Sequence, residues 1–351
     1  MARDNRKNEH VSLAEYLYDE DHDVFSDIQF IHEALPRTDL ADIDLSTSFF
    51  NQTSPLPYYV NAMTGGSAWT KTVNKKIAQV AAALKIPLAL GSMSAALKDP
   101  QVADSYTIAR EVYPTGFIIA NLGAGHSAIN AQKAIQLIQA SALQIHLNVA
   151  QELVMPEGDR TFKNWQENIG EIVAAVDVPV IVKEVGFGMN RQTIQMLDQL
   201  GVDAIDISGR GGTNFAAIEN LRRQKQQASD LSDFETWGQT TPISLLEAQA
   251  AAPHAKIMAS GGIKKPLDII KSLALGAHAT AMAGQVLHLA LKDVDQAVVT
   301  FKEWNEELKK FMVLLNAKTP HELKKSPLII SGETAHWCKL RGISLQTYAQ
   351  R

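Results

Sequence analysis

Eight short apolar runs, each ending in small or polar residues, recur along the chain. They are Pro57–Ala62, Pro87–Ser92, Gly116–Asn121, Leu143–Asn148, Val178–Lys183, Ala204–Ser208, Lys256–Ser260 and Ala277–Ala283. Between them lie alanine- and glutamine-rich segments of helical character, including Lys71–Leu84, Ala128–Ser141, Asn164–Ala175, Arg191–Leu200 and Pro266–Leu275. Strict strand–helix alternation requires a parallel sheet, because a parallel neighbour is reached only through a crossover long enough to hold a helix. Eight such units call for closure, so the expected fold is α/β, a (β/α)8 TIM barrel. An open doubly wound sheet would show fewer strands and a glycine-rich first turn of the dinucleotide kind, which is missing here. The expected organisation is one domain over residues 1–351: an N-terminal arm (1–45), the barrel (46–292) and a C-terminal helical region (293–351) that covers it.

Of 351 residues, 46% are hydrophobic and 20% charged, the balance of a soluble globular protein with a sizeable core. A net charge of −5 gives no reason to expect nucleic acid as a partner. The segment Met1–His10 is charged and lacks the apolar stretch of a signal peptide, and no run approaches the roughly 18 apolar residues of a membrane span. The single cysteine, Cys338, excludes an internal disulfide framework and a cysteine-rich metal site. These features together point to the cytoplasm. Gly209–Thr241, after the sixth run, reads as a long polar insertion, either a functional lid or a solvated insert.

In such a barrel the reacting groups stand at the C-terminal ends of the strands. Those ends read Asn61-Ala-Met-Thr-Gly-Gly66, Gly91-Ser-Met-Ser94, Asn121, His146-Leu-Asn148, Lys183 and Ser208-Gly-Arg-Gly-Gly-Thr-Asn214, polar on most strands. The seventh and eighth end in Ala259-Ser-Gly-Gly262 and Ala283-Gly284, where glycine lets backbone N–H groups approach an anion; this pairing suits a phosphate. Lys183 in a barrel mouth must meet an anion, form a Schiff base, lose its proton, or reach solvent. His146 and Asn148 alternate on one strand and share a face, with Gln151 and Glu152 following on the adjoining loop. A histidine, two amides and a carboxylate suit a polar ligand with a divalent cation held mostly by ligand oxygens and water, although a lone histidine there also suits a barrel core. By spacing alone Arg6, Lys7 and His10 read as a solvated charged tail; as an arm they have the chemistry to bind a polyanion.

Taken in order, Arg6-Lys-Asn-Glu-His10, Asn61–Gly66, Gln144–Asn148 with Gln151-Glu152, Lys183-Glu-Val-Gly-Phe-Gly188, Ser208–Asn214, Ala259–Gly262 and Ala283-Gly284 resemble the type 2, FMN-dependent isopentenyl-diphosphate isomerases along nearly the whole chain. The resemblance implies interconversion of isopentenyl and dimethylallyl diphosphate with reduced FMN and Mg²⁺, no net redox change, and NAD(P)H or another reductant to keep the flavin reduced. It implies that Ala62, Met63, Thr64, Ser92, Asn121, Lys183, Ser208 and Thr213 contact the flavin or its ribityl chain, with Gly261, Gly262, Ala283 and Gly284 on its phosphate. Arg6, Lys7, His10 and His146 would bind diphosphate, Asn148 and Gln151 would lie beside the substrate, and Glu152 would position Mg²⁺. Gln151, His146, Asn148 and Lys183 are the implied catalytic set, and a homotetramer or larger assembly the implied state. Many members carry arginine in a Gly-Ser-Gln-Arg pattern after the second strand; here Ser94 offers a hydrogen bond without a charge.

Three rival readings fit the sequence less well. A flavin-dependent 2-hydroxy acid oxidase or dehydrogenase would carry a histidine after the sixth strand, where this chain has Arg210. A nucleotide dehydrogenase would need a nucleophilic cysteine in that loop, and Cys338 lies far downstream. A non-catalytic FMN-binding sensor has no use for Gln151 and Glu152 beside His146.

Overall fold

The computed structural model describes residues 2–225 and 228–351, with side chains from Arg6 onward. All eight expected runs form strands: β1 (Tyr58–Val60), β2 (Leu88–Ala89), β3 (Ile118–Gly123), β4 (Ala142–Leu147), β5 (Val180–Glu184), β6 (Ala204–Asp206), β7 (Lys256–Ser260) and β8 (Ala279–Met282). Each pairs in parallel with the next, and β8 closes on β1 through Thr280↔Tyr58 and Met282↔Val60.

Side-chain alternation divides each strand between two environments. Outward residues such as Tyr58, Val60, Leu143, Ile145, Val182 and Ile205 join the main core beneath the helices. Inward residues form a second cluster that includes Tyr59, Ile119, Ala142, Ile181, Ala204 and Met258. Two residues further along their strands the inward positions turn polar: Asn61, Asn121, Gln144, Lys183, Asp206 and Ser260, all buried. The barrel is thus filled by an apolar layer below and a polar layer above, and the polar layer is the floor of the mouth.

The helices form where the sequence stripes them. Ala68–Leu84 buries Val73, Ile77, Val80, Ala81 and Leu84 at three- and four-residue spacing, and its N-cap Ser67 accepts the Thr70 N–H at 3.1 Å. In the C-terminal region, Val294–Leu314 is capped by Asp293 and lays Ala297, Phe301, Leu308 and Met312 against the helices around β1 and β8. Leu328–Ile330 pairs antiparallel with Ile28–Phe30, tying the end of the chain to its beginning.

Three sequence expectations are corrected. Gln151 and Glu152 stand on a short helix, Val149–Val154, rather than on a loop. The stretch after β6 is neither lid nor solvated insert throughout: it contains the helix Phe215–Lys225, whose Ala216, Ile218, Glu219, Asn220 and Arg222 are buried. Its apolar face was masked by the polar residues around it, of which Gln226 and Gln227 lie outside the described residues. Arg6, Lys7 and His10 lie on a helix, Ala2–Tyr16, held by buried Val11 and Ala14, so they are no solvated tail.

The opposite end of the barrel is plugged by the hairpin Thr47–Phe49 and Gln52–Ser54. Phe49, 2% exposed, meets Tyr59 and Phe117 edge-on at centroid distances of 5.3 and 5.1 Å. Phe49→Ala should cost about 3–5 kcal/mol through lost burial and the cavity left behind. A urea-unfolding midpoint equal to wild type would show that the plug carries no such weight.

Candidate functional site

The polar layer is organised around one carboxylate. Asp206, fully buried on β6, accepts from Tyr59 Oη at 3.1 Å, Asn61 Nδ2 at 2.8 Å, the Ser208 N–H at 3.1 Å and Ser260 Oγ at 2.7 Å. These donors come from three strand ends, so one charge fixes β1, β6 and β7 in register at the mouth. From Asn61 the bonding runs on to Gln144 on β4, Asn121 on β3 and His146, again on β4. The strand register places Asn121 beside Gln144, His146 beside Lys183, and Lys183 beside Asp206.

Lys183 is buried. Burial lowers its pKa, opposed by the charges of Asp206 and Glu184. Glu184 accepts the N–H groups of Val185, Gly186 and Phe187 at 2.6, 2.8 and 2.5 Å, yet burial outweighs those bonds and raises its carboxyl to about 7.

Over the β5–β8 side of the floor lies a cavity of about 440 Å³. Nine of the cofactor residues expected from the sequence line it: Ala62, Met63, Lys183, Ser208, Thr213, Gly261, Gly262, Ala283 and Gly284. Thr64, Ser92 and Asn121 do not. The Thr64 hydroxyl is nevertheless buried without a hydrogen-bond partner, and Asn121 belongs to the floor. Only glycine fits the cradle at the end of β7: Gly261 has φ +94°, and a Cβ there would lie 1.9 Å from the Gly209 carbonyl oxygen. Beside it the helix Gly284–Lys292 begins without a side-chain cap, leaving its first N–H groups free for an anion. Tyr18, from the segment after the N-terminal helix, closes the rim by stacking on His288 at 4.5 Å and hydrogen-bonding Gln285.

The residues expected to bind substrate lie outside that wall, in a second neighbourhood of the same mouth. Asn148 Nδ2 donates to Gln151 Oε1 at 3.3 Å and to Glu152 Oε1 at 2.9 Å, while Glu152 Oε2 accepts the Asp159 N–H at 2.7 Å. Gln151 Nε2 donates to Glu219 at 3.0 Å, and His10 Nε2 stands 2.9 Å from that same oxygen. Arg222 pairs with Glu219, with Glu157 at 2.8 Å and with Glu9 at 3.2 Å; Arg6 lies 3.6 Å from Glu157. Burial, with Arg6 alongside, lowers Lys7 to about 8. Burial also drops His10 below its ordinary value, against the pull of Glu219, and takes His146 to about 3 with help from Lys183, Lys7 and His126. Ser94 Oγ lies 3.0 Å from Ser92 Oγ and 2.7 Å from His126 Nε2, so a histidine stands at the edge where the resemblance would have an arginine. Among the described residues no group of three or more His, Cys, Asp or Glu gathers as a metal cluster.

Sequence reasoning missed Asp206, Gln144, Glu219, Arg222 and His126 as members of the mouth. Asp206 was legible, since it lies within the same apolar run as Ser208 and shares its strand face. Glu219 and Arg222 were hidden by the reading of their helix as an insertion.

The FMN-dependent dehydrogenase family matches residues 121–330. Over the full length the chain is similar to proteins named isopentenyl-diphosphate delta-isomerase. It is 48% identical over 343 residues to that of Latilactobacillus sakei subsp. sakei (strain 23K), covering 97% of each chain. It is 47% identical over 357 residues to that of Listeria innocua serovar 6a, covering 100% of this chain and 98% of the relative. With that of Staphylococcus saprophyticus subsp. saprophyticus it shares 43% identity over 345 residues, covering 98% and 99%. A crystal structure of mandelate oxidase superposes with a TM-score of 0.62 at 14% identity, over 92% of this chain and 91% of that one, a likeness of fold alone.

Glu219 generates a pH prediction. Burial raises its carboxyl, but the bonds from His10 and Gln151 and the charge of Arg222 prevail and hold it at about 2, below the ordinary 4.5. Its stabilising contribution is therefore full above pH 4.5 and lost as pH falls through 2. Glu219→Gln should cost about 3 kcal/mol at neutral pH by leaving Arg222 under-compensated. That deficit should shrink on acidification through the same window; a deficit independent of pH in urea titrations would refute the assignment.

Proposed function

The chain belongs to the isopentenyl-diphosphate delta-isomerase family, on the barrel of the FMN-dependent dehydrogenases, and from that premise we propose how its mouth moves the double bond between isopentenyl and dimethylallyl diphosphate. The observation that carries the reading is the division of the mouth. A cavity ending in a glycine cradle stands on one side, and a ring of Lys7, His10, His146, Asn148 and Gln151 on the other.

The first side fits FMN. Gly261, Gly262, Ala283 and Gly284 would hold its phosphate, because backbone N–H groups there can reach an anion without a Cβ between. Ala62, Met63, Ser208 and Thr213, which line the cavity, offer contacts to the ring and ribityl chain. Bound and reduced, FMN would supply an electron-rich, protonatable ring with no net redox change.

The chain's own groups supply positioning and charge. Lys183, buried on the strand beside Asp206, stands at the floor, where negative charge above it would favour its protonated form against the lowering by burial. Arg6, Lys7 and His10 would take the diphosphate from above. Lys7, lowered to about 8, keeps most of its charge at pH 7 and gains from an anion's arrival. Asn148 and Gln151, held by Glu152 and Glu219, present amides beside the substrate, and Glu152 would position Mg²⁺ on the diphosphate. The apolar part of the substrate would then be kept from bulk water by the N-terminal helix and Phe215–Lys225. We further propose NAD(P)H as reductant and a homotetramer or larger as the working assembly. A 2-hydroxy acid oxidation lacks its base here, since Arg210 after β6 is committed to the Thr236 carbonyl.

The direct test is anaerobic ¹H NMR in D₂O with isopentenyl diphosphate, Mg²⁺ and pre-reduced FMN. Dimethylallyl diphosphate carrying deuterium should accumulate, and none with oxidised FMN. An unchanged spectrum with reduced flavin demonstrably bound would reject the isomerase. In a second experiment Gln151→Ala and Glu152→Ala should retain flavin and lose turnover. Activity that merely tracks flavin content in both variants would contradict their proposed roles.

A further inference from the structure

We propose that Asp206 is a positioning residue for His146, acting across the barrel through a hydrogen-bond chain of fixed polarity that leaves the imidazole protonated on Nδ1 and its Nε2 free to accept. The chain runs Asn61 Nδ2 to Asp206 at 2.8 Å, Gln144 Nε2 to Asn61 Oδ1 at 3.2 Å, Asn121 Nδ2 to Gln144 Oε1 at 2.8 Å, and His146 Nδ1 to Asn121 Oδ1 at 2.8 Å.

An amide side chain can face either way, so such a chain has a direction only if something pins it. Here Asn61 is pinned twice. The Asp206 carboxylate only accepts, which turns Asn61 Nδ2 toward it. The Ala62 backbone N–H only donates, and it bonds Asn61 Oδ1 at 2.9 Å. Gln144 must therefore give its NH₂ to Asn61 and turn its oxygen to Asn121. Asn121 must give its NH₂ to Gln144 and turn its oxygen to His146. The imidazole can meet that oxygen only as a donor from Nδ1. All three amides are buried, so water does not relieve the constraint.

At the far end Nε2 has no hydrogen-bond partner among the described residues. It faces Gly123, where a Cβ would stand only 3.2 Å away, so glycine keeps that nitrogen approachable. Burial, with the charges of Lys183 and Lys7 adding to it, keeps the ring neutral, which makes the choice of tautomer matter. The polarity stands apart from the isomerase reading. Its consequence rests on that reading: a phosphoryl oxygen meets Nε2 only through a proton that enters with the ligand.

The test is the tautomer itself, read from long-range ¹H–¹⁵N correlations of [¹⁵N]histidine-labelled, flavin-loaded enzyme without substrate at pH 7.5, with His146→Gln assigning the resonance. Wild type should show the Nδ1–H form alone. Asp206→Asn should admit a measurable Nε2–H population. Gln144→Met should do the same while leaving Asp206 bonded to Tyr59, Ser208 and Ser260, and it decides the matter if Asp206→Asn does not fold. An Nε2–H or doubly protonated ring in wild type, or an unaltered Nδ1–H form in folded Asp206→Asn or folded Gln144→Met, overturns the proposal. Because the readout needs no turnover, an inactive enzyme with the expected tautomer would count against the isomerase reading and not against this one.

Discussion

A carboxylate with no exposed surface must find hydrogen-bond donors inside the protein, and Asp206 meets four. The mouth is arranged around that requirement. Tyr59, Asn61, Ser208 and Ser260 are oriented by it, and Lys183 sits in register with it on the neighbouring strand. Below this layer the barrel is largely apolar, and the Tyr59 hydroxyl reaches up from it to Asp206. The boundary between the two layers is where the fold stops serving stability and begins serving chemistry.

Charge is balanced differently on the two sides of the mouth. Over β5–β8 the anion-binding capacity comes from backbone, from glycines that admit close approach and from the free N–H groups at a helix start. On the opposite side the proposed anion-binding groups are side chains, Arg6, Lys7 and His10, brought in on a helix that is itself held by the pair Glu9–Arg222 and by the burial of Val11 and Ala14. Glu219 links these parts, since it faces His10, Gln151 and Arg222 at once. The helix Phe215–Lys225 is therefore a wall of the site rather than a covering over it.

The eight strands were legible because their pattern is local: apolar runs of fixed length ending in small residues, separated by helical stripes. The strand ends were legible for the same reason, and nine of the residues that the resemblance implies for the cofactor line one cavity. Glu219 and Arg222 were not, because a helix with few apolar residues looks like an insertion until its packing is known. Nor was the helix under Gln151 and Glu152, a single turn too short for periodicity to register.

By itself the sequence determined the barrel, the glycine junctions and the residue types available at each strand end, since period-two alternation and glycine's backbone freedom are properties of the chain alone. The tertiary structure decided which of those residues touch. Asp206 and Asn61 are 145 positions apart, yet bond at 2.8 Å because closure brings β1 between β8 and β2 with its inward face toward β6. His10 and Glu219, still further apart, meet because the N-terminal helix folds back over the mouth. No local pattern encodes such pairings; they follow from burial, which forces every polar group inside the barrel to find its partner there.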